Sequence, residues 1–200
     1  LTQARPGSTH GYDIVDHNRL NPEIGTAEAF ASLVASLAAH GMGLIVDIVP
    51  NHMGVGGADN SWWLDVLEWG ENSPRAAFFD INWDPVRDDL KGRVLLPVLG
   101  DQYGAVLENG QIVLRFDPGE GSFSAWYYEH RFPICPLSYA DILRHGGERL
   151  RQLTNTFEGL RWLPPQLVYQ QTPGLKRQLA EAARTPETVS ALDAAAQAFA

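Results

Sequence analysis

Gly43-Leu44-Ile45-Val46-Asp47-Ile48-Val49-Pro50-Asn51-His52 is the longest strand-like run of the chain, and it ends in a polar pair. Leu44, Ile45, Val46, Ile48 and Val49 form a nearly continuous apolar, largely β-branched run, the composition of a strand covered on both faces in a parallel sheet. Pro50 ends the run. Asn51 and His52 stand just past its carboxyl end, where polar residues of barrel strands meet ligands. Asp47 is the odd member. Inside a buried run it has to be paired or hydrogen-bonded to avoid a desolvation cost of about a few kcal/mol, and it suits a structural role or a place in a site equally well.

The residues before this run carry a helical period. Phe30, Leu33, Val34, Leu37 and Ala38 fall on one face, Thr26 suits the N-cap, and Gly41 suits the position just past the helix. A helix feeding a buried strand is the second half of a βαβ unit, with the helix outside a parallel sheet. Residues 1 to 25 hold Pro6, Gly7, Gly11, Pro22 and Gly25 among polar residues and read as an extended loop. Its expected functional tip is Gly11-Tyr12-Asp13. Tyr12 offers a flat apolar face and a hydroxyl, which suit a sugar ring or simple packing on the loop's own scaffold. His10, Asp13 and Asp16 are polar neighbours that could equally cap loop amides.

The D-x-V-x-N-H pattern of Asp47, Val49, Asn51 and His52 resembles the first signature region of the α-amylase superfamily of glycoside hydrolases. The runs ARPGSTHGYDIVDHN, WWLDVLEWG and YYEHRFPI are similar to its maltooligosyl trehalose synthase branch. The likeness runs closely from residue 1 to about 145 and more loosely over the remainder. It implies an α/β fold, part of a (β/α)8 TIM barrel around strand 3, with an inserted small antiparallel sheet and a helical C-terminal part. It divides the chain into residues 1–56 of the catalytic barrel, an inserted α+β subdomain over 57–137, and a helical segment over 138–200. The implied activity is intramolecular transglucosylation, which converts the reducing-end α-1,4 linkage of a maltooligosaccharide to α,α-1,1 in trehalose biosynthesis. An α-glucan hydrolase and a non-catalytic carbohydrate-binding module are the alternatives. Substrate-binding residues are expected at Tyr12, stacking on sugar, and at His52, donating to a sugar hydroxyl, with Asp47 and Asn51 fixing the loop and His10 nearby. The superfamily's three catalytic acids follow strands four, five and seven, so they are expected outside this chain, which by itself should be inactive.

The retaining mechanism needs a carboxylate nucleophile and a carboxylic acid about 5 Å apart. Asp13, Asp47 and Glu68 are not assigned to that pair merely for being carboxylates. Fifteen basic against 24 acidic residues give a net charge of −9, which disfavours nucleic acid or an anionic membrane as partner and suits a neutral glucan. Cys135 is the only cysteine, so no internal disulfide is possible and a reducing cytoplasm is the easier compartment. No apolar span reaches membrane length. With no Met at the start and a helical pattern at Ala200, the chain is expected to be a piece of a longer protein. No cofactor or metal is expected: the glycine-rich MGVGGADN lacks the lysine of a phosphate loop and reads as mobile, and His10, His17, His40 and His52 lack zinc-ligand spacing.

Downstream, Trp62, Trp63 and Trp69 stand beside Asp65 and Glu68, a set that suits a sugar groove, although at least two of the three indoles are expected in the core. From Arg93 to Ile134 the period moves towards two, in VLLPVLG, AVLENGQIVLRF and SAWYYEHRF. Asn109-Gly110 between apolar runs predicts a hairpin turn. Alternation through 127–132 would place Tyr127, Glu129 and Arg131 on one face and Tyr128, His130 and Phe132 on the other. Ser138 and Asp141 resemble a helix start. Leu150, Leu153, Phe157 and Leu160 continue an apolar face, Pro164-Pro165 interrupts it, and Thr185-Pro186 opens a last helix with Val189, Leu192, Ala196 and Phe199 on one side.

Overall fold

A computed structural model describes residues 1–200, which divide into two compact units, Leu1–Ser61 and Trp62–Ala200. In the first unit, β1 (Thr2–Ala4) pairs antiparallel with β2 (Ile14–Leu20). The expected loop over 1–25 is therefore a short two-stranded ribbon whose connection, residues 5–13, carries Tyr12. Ala4, Ile14 and Val15 are its buried apolar residues. α1 (Ala27–Ala39) begins where expected, with the Thr26 hydroxyl accepting from the Ala29 N–H at 3.1 Å. Gly41 follows its end at φ 65°, a conformation that only glycine adopts cheaply.

The run after α1 departs from expectation. Residues 43–50 enter no ladder. Ile45 is 99% exposed and Leu44, Val46 and Ile48 are also open, so Asp47 is exposed rather than buried. The cause is topological: a parallel strand is made by neighbours on its two edges, and in this unit β1 and β2 pair only with each other. The apolar stripe of α1 is uncovered for the same reason, with Leu33 and Val34 exposed. Between the helix and residues 44–47 lies a groove of about 410 Å³ with mostly apolar walls, including Phe30, Leu33 and Leu44.

The second unit opens within α2 (Ser61–Trp69), at Trp62, and continues irregularly to α3 (Tyr103–Glu108). The run 94–100 forms no strand. A three-stranded antiparallel sheet follows, β3 (Ile112–Asp117), β4 (Ser122–Tyr127) and β5 (His130–Pro133), in the order β3-β4-β5. The small inserted sheet is present, but its turns lie elsewhere than predicted. Asn109 caps α3, and Gly110 stands just past it at φ 63°. The Asn-Gly pair thus ends a helix, a role the same positive-φ preference serves. The β3–β4 turn is Pro118 to Gly121, and Gly121 is obligatory there: a Cβ would come within 2.0 Å of the Lys176 carbonyl oxygen. The β4–β5 turn is Tyr128-Glu129, since Tyr127 pairs with His130. That turn breaks the predicted alternation, so Tyr127 faces His130 across the ladder and Arg131 pairs with Trp126.

The remaining helices are α4 (Tyr139–Leu143), α5 (Arg151–Glu158), α6 (Pro165–Ala182) and α7 (Pro186–Phe199). α4 starts after Ser138, but the Ser138 hydroxyl makes no cap bond. Pro165 opens α6, and Thr185 caps α7 by accepting from the Thr188 N–H at 3.4 Å. Sheet and helices share one core: Phe116 and Phe123 pack with Tyr139, Ile142, Leu150, Phe157, Leu160, Leu179 and Leu192. Phe199 is 45% exposed, so the stripe of α7 is buried only as far as Ala196. Among the indoles, Trp63 is buried, Trp69 packs against the core, and Trp62 packs at a tilt against Phe78 with the Arg75 guanidinium over its ring at 4.5 Å. The core role expected of at least two of them holds.

Candidate functional site

The polar residues expected to recognise a ligand gather in the first unit, at the tip of the β1–β2 connection and along residues 47–52. The connection is held by local bonds. Arg5 N–H donates to the Asp13 carbonyl at 3.0 Å and Ser8 N–H to the Arg5 carbonyl at 3.1 Å. The Ser8 hydroxyl bonds the Asp13 carboxylate and accepts from Gly11 N–H at 3.0 Å. The Ser8 bond outweighs partial burial and holds the Asp13 carboxyl below its ordinary value. Gly11 sits at φ 75°, the left-handed geometry that turns the chain and throws Tyr12 outward.

Tyr12 is 46% exposed and its hydroxyl donates to Asp47 Oδ2 at 2.7 Å. The hydrogen bond to that carboxylate, then its charge, holds the phenol above its usual value, so the group stays a donor at neutral pH. His10 belongs to the same group. Its Nδ1 accepts the Tyr12 N–H at 3.0 Å and its ring lies 5.7 Å from the Tyr12 ring. Asn51 and His52 pair with each other, Asn51 Oδ1 to His52 Nδ1 at 3.2 Å. With the amide oxygen as acceptor, Nδ1 carries the proton and the neutral ring offers Nε2 as an acceptor for a hydroxyl proton. Donation from Nε2, the role expected from the sequence, then belongs to the imidazolium form.

Five predicted residues are thus organised as two groups, Tyr12 with Asp47 and His10, and Asn51 with His52. Exposed phenol face, fixed phenol hydroxyl, carboxylate and imidazole make a set that can stack on one face of a sugar and hydrogen-bond hydroxyls at its rim. Its one carboxylate with a defined task, Asp47, serves as acceptor for Tyr12.

The bonds that hold these groups are long-range and carry no sequence motif. The Gly54 N–H donates to the Ile14 carbonyl at 2.8 Å, the buried Asn60 side chain donates to the Gly54 carbonyl at 2.9 Å, and Arg5 Nε reaches Asp59 at 3.3 Å. MGVGGADN, read as mobile, is pinned to the β1–β2 ribbon. Only the opposite charges of Arg5 and Asp59 could have signalled it, and 54 residues of separation offer no periodicity to follow.

Residues 3–102, half of the chain, match the α-amylase catalytic domain. The chain belongs to the α-amylase family. It is 45% identical over 124 residues to a putative maltooligosyl trehalose synthase of Mycobacterium tuberculosis, an alignment covering 58% of this chain and 16% of the relative. It is 37% identical over 82 residues to the intracellular maltogenic amylase of Bacillus subtilis, covering 41% of this chain and 13% of that protein. A crystal structure of maltooligosyl trehalose synthase superposes with a TM-score of 0.59 at 32% identity, over 66% of this chain and 17% of that one. The chain thus spans about a sixth of the length of these relatives, and its fold is part of a TIM-barrel enzyme without a closed barrel. No helix is long and apolar enough to cross a membrane.

Proposed function

We propose that this chain is the glucan-recognition part of an enzyme that converts the reducing-end α-1,4 linkage of a maltooligosaccharide to α,α-1,1 by intramolecular transglucosylation, in trehalose biosynthesis in the cytoplasm. The single observation that carries the reading is the Tyr12–Asp47 pair. It presents an oriented phenol at the tip of the connection, inside the 100 residues that match the α-amylase catalytic domain. The 45% identity to a maltooligosyl trehalose synthase favours that outcome over hydrolysis. Residues 1–56 are part of the barrel, 57–137 the insertion and 138–200 a helical continuation, the last two packed on a common core. The nucleophile and the acid/base come from chain outside these 200 residues, and the glycosyl-enzyme forms there. Tyr12 stacks on the sugar, Asp47 orients the Tyr12 hydroxyl, and His52, set by Asn51, meets a sugar hydroxyl.

Maltopentaose incubated with the complete protein tests the reading. Joining two anomeric carbons removes a reducing end, whereas hydrolysis creates one, so reducing ends should fall with little free glucose. His52→Ala should lower kcat/KM about 10- to 1000-fold, the range for one or two hydrogen bonds at a charged transition state. Tyr12→Ala should raise KM, while Tyr12→Phe, which keeps the stacking face, should retain most of the affinity. A rise in reducing ends would assign the α-glucan hydrolase instead. Binding without any turnover would assign the non-catalytic module. Folded His52 and Tyr12 variants with unchanged kinetics would remove both residues from the site.

A further inference from the structure

Arg5 stands at the junction of the two groups without belonging to either. Its backbone closes the base of the Tyr12 loop: the N–H bonds the Asp13 carbonyl at 3.0 Å, and the carbonyl accepts from Ser8 at 3.1 Å. Its side chain runs to the segment that follows His52, where Nε bonds Asp59 Oδ2 at 3.3 Å. On the way the guanidinium lies against the backbone of Gly56 and Gly57. A Cβ at Gly57 would stand 2.7 Å from Nη2, and one at Gly56 would stand 3.0 Å from Nη1. Gly57 is also at φ 72°. The two glycines therefore leave the space that the guanidinium fills. A flat, delocalised cation can lie on two peptide groups and still reach a carboxylate with Nε; an ammonium on a flexible stem cannot do both.

The same segment is bolted to the Tyr12 loop at a second point. The Gly54 N–H bonds the Ile14 carbonyl at 2.8 Å, and a Cβ at Gly54 would stand 3.1 Å from the Asp13 carbonyl oxygen. Asn60, 2% exposed, secures the Gly54 carbonyl at 2.9 Å. Gly54 is two residues beyond His52, and Asp13 is one beyond Tyr12. The backbone that carries the imidazole and the backbone that carries the phenol thus meet at one joint, and Arg5 grips both sides of it.

We propose that Arg5 is a positioning residue, which through Asp13 on one side and Gly56, Gly57 and Asp59 on the other sets His52 against Tyr12 so that both engage the same α-glucan. The inference rests on the recognition role given above to Tyr12 and His52. Arg5 contributes no contact to sugar; it acts through the geometry of the joint, where a displacement of about 1 Å can cost on the order of 100-fold in rate.

A double-mutant cycle in the complete enzyme with maltopentaose separates this role from a merely structural one. Arg5→Ala should lower kcat/KM about 10- to 100-fold, and Arg5→Lys should recover only part of it. In a His52→Ala background the same Arg5→Ala change should cost less than about 3-fold, because the residue it positions is gone. Asp59→Asn, a gentler change should Arg5→Ala fail to fold, should show a smaller loss with the same dependence on His52. Exchange of the Gly54 amide, measured by hydrogen–deuterium exchange, should speed up in both variants. Equal losses in the presence and absence of His52, or unchanged Gly54 exchange, would overturn the positioning role while leaving the recognition role of His52 intact. If His52→Ala alone leaves turnover unchanged, the recognition reading fails and the proposal falls with it.

Discussion

The two units solve the problem of stability in opposite ways. Trp62–Ala200 buries a contiguous set from Phe116 to Ala196, closed by side-chain bonds such as Tyr139 Oη accepting from Phe123 N–H at 3.1 Å. Leu1–Ser61 buries only Ala4, Ile14 and Val15 among its apolar residues and is held by a handful of polar bonds, while Ile45, Ile48 and Leu33 lie open. Yet the second kind of construction carries the candidate recognition residues. Apolar burial is the main favourable contribution to folding, so the contrast assigns most of the stability to the second unit and leaves the proposed contacts to the first.

That division breaks most readily with a pair of truncations. Phe157 is fully buried, so Phe157→Ala should cost about 3–5 kcal/mol, the transfer loss plus the cavity it leaves. Leu33 is 48% exposed in the uncovered stripe of α1, and Leu33→Ala should stay within about 0.5 kcal/mol. Urea midpoints of the chain, read by tryptophan fluorescence (Trp62, Trp63, Trp69, Trp83, Trp126 and Trp162 all lie in the second unit), check the first. Amide exchange in α1 checks the second. A comparable loss at Leu33 would mean that the first unit has a core of its own.

A smaller effect sharpens what holds the second unit. Glu68 on α2 and Lys176 on α6 form an ion pair with side chains only 11% and 20% exposed. Burial pushes the Glu68 carboxyl above its ordinary value despite the opposing pull of Lys176. A carboxyl raised in the folded state contributes stability that is fully present below its unfolded value, about 4.3, and is lost as pH rises through the folded value. The Glu68 contribution to the second unit should therefore be lost as pH rises through its folded value, and Glu68→Gln should remove that part of the slope. Lys176→Met, which strands the carboxylate, should cost about 3 kcal/mol at pH 7 and much less at pH 4. Urea midpoints at the two pH values decide it. An equal cost at both would show that Lys176 contributes packing rather than charge.

How much of this was legible in the sequence differs between the units for physical reasons. The capped helices announced themselves, because period and caps are local: Thr26, Gly41, Pro165 and Thr185 mark real boundaries, whereas α3 lies in a run read as strand. The sheet was visible as composition but not as register. Asn109-Gly110 and Gly121 offer the same positive-φ chemistry, and only packing on α6 decides which of them turns a hairpin. The run 43–49 is strand-like in composition, but a parallel strand is a property of neighbours, and none pairs with it in this unit. Of the candidate site, Tyr12, His10, Asp47, Asn51 and His52 could be singled out in advance because the D-x-V-x-N-H pattern and the loop tip are contiguous motifs. The Tyr12–Asp47 bond and the Arg5 clasp join residues 35 and 54 positions apart, and nothing short of the fold brings them together.

The smallest effect concerns backbone strain in the stable unit. Tyr128 is the only residue other than glycine at positive φ, at 51°, and it occupies the first position of the two-residue turn between β4 and β5. Such turns favour asparagine or glycine there, because a Cβ in the left-handed region crowds the backbone at about 1 kcal/mol. Part of the cost is offset by the Tyr128 ring packing edge-on against Tyr127 at 4.7 Å, and Tyr127 is itself anchored by accepting from Gly100 N–H at 2.9 Å. The ring is nevertheless 68% exposed, so that contact buries little area. Removing the strain and the ring together should come close to balance, since glycine also gives the unfolded chain more freedom to lose. Tyr128→Asn keeps the left-handed preference without that entropy and should leave the second unit unchanged or more stable by up to about 0.5 kcal/mol, read from the urea midpoint. A loss above about 1 kcal/mol would mean that the Tyr127–Tyr128 contact outweighs the strained turn and supports the hairpin.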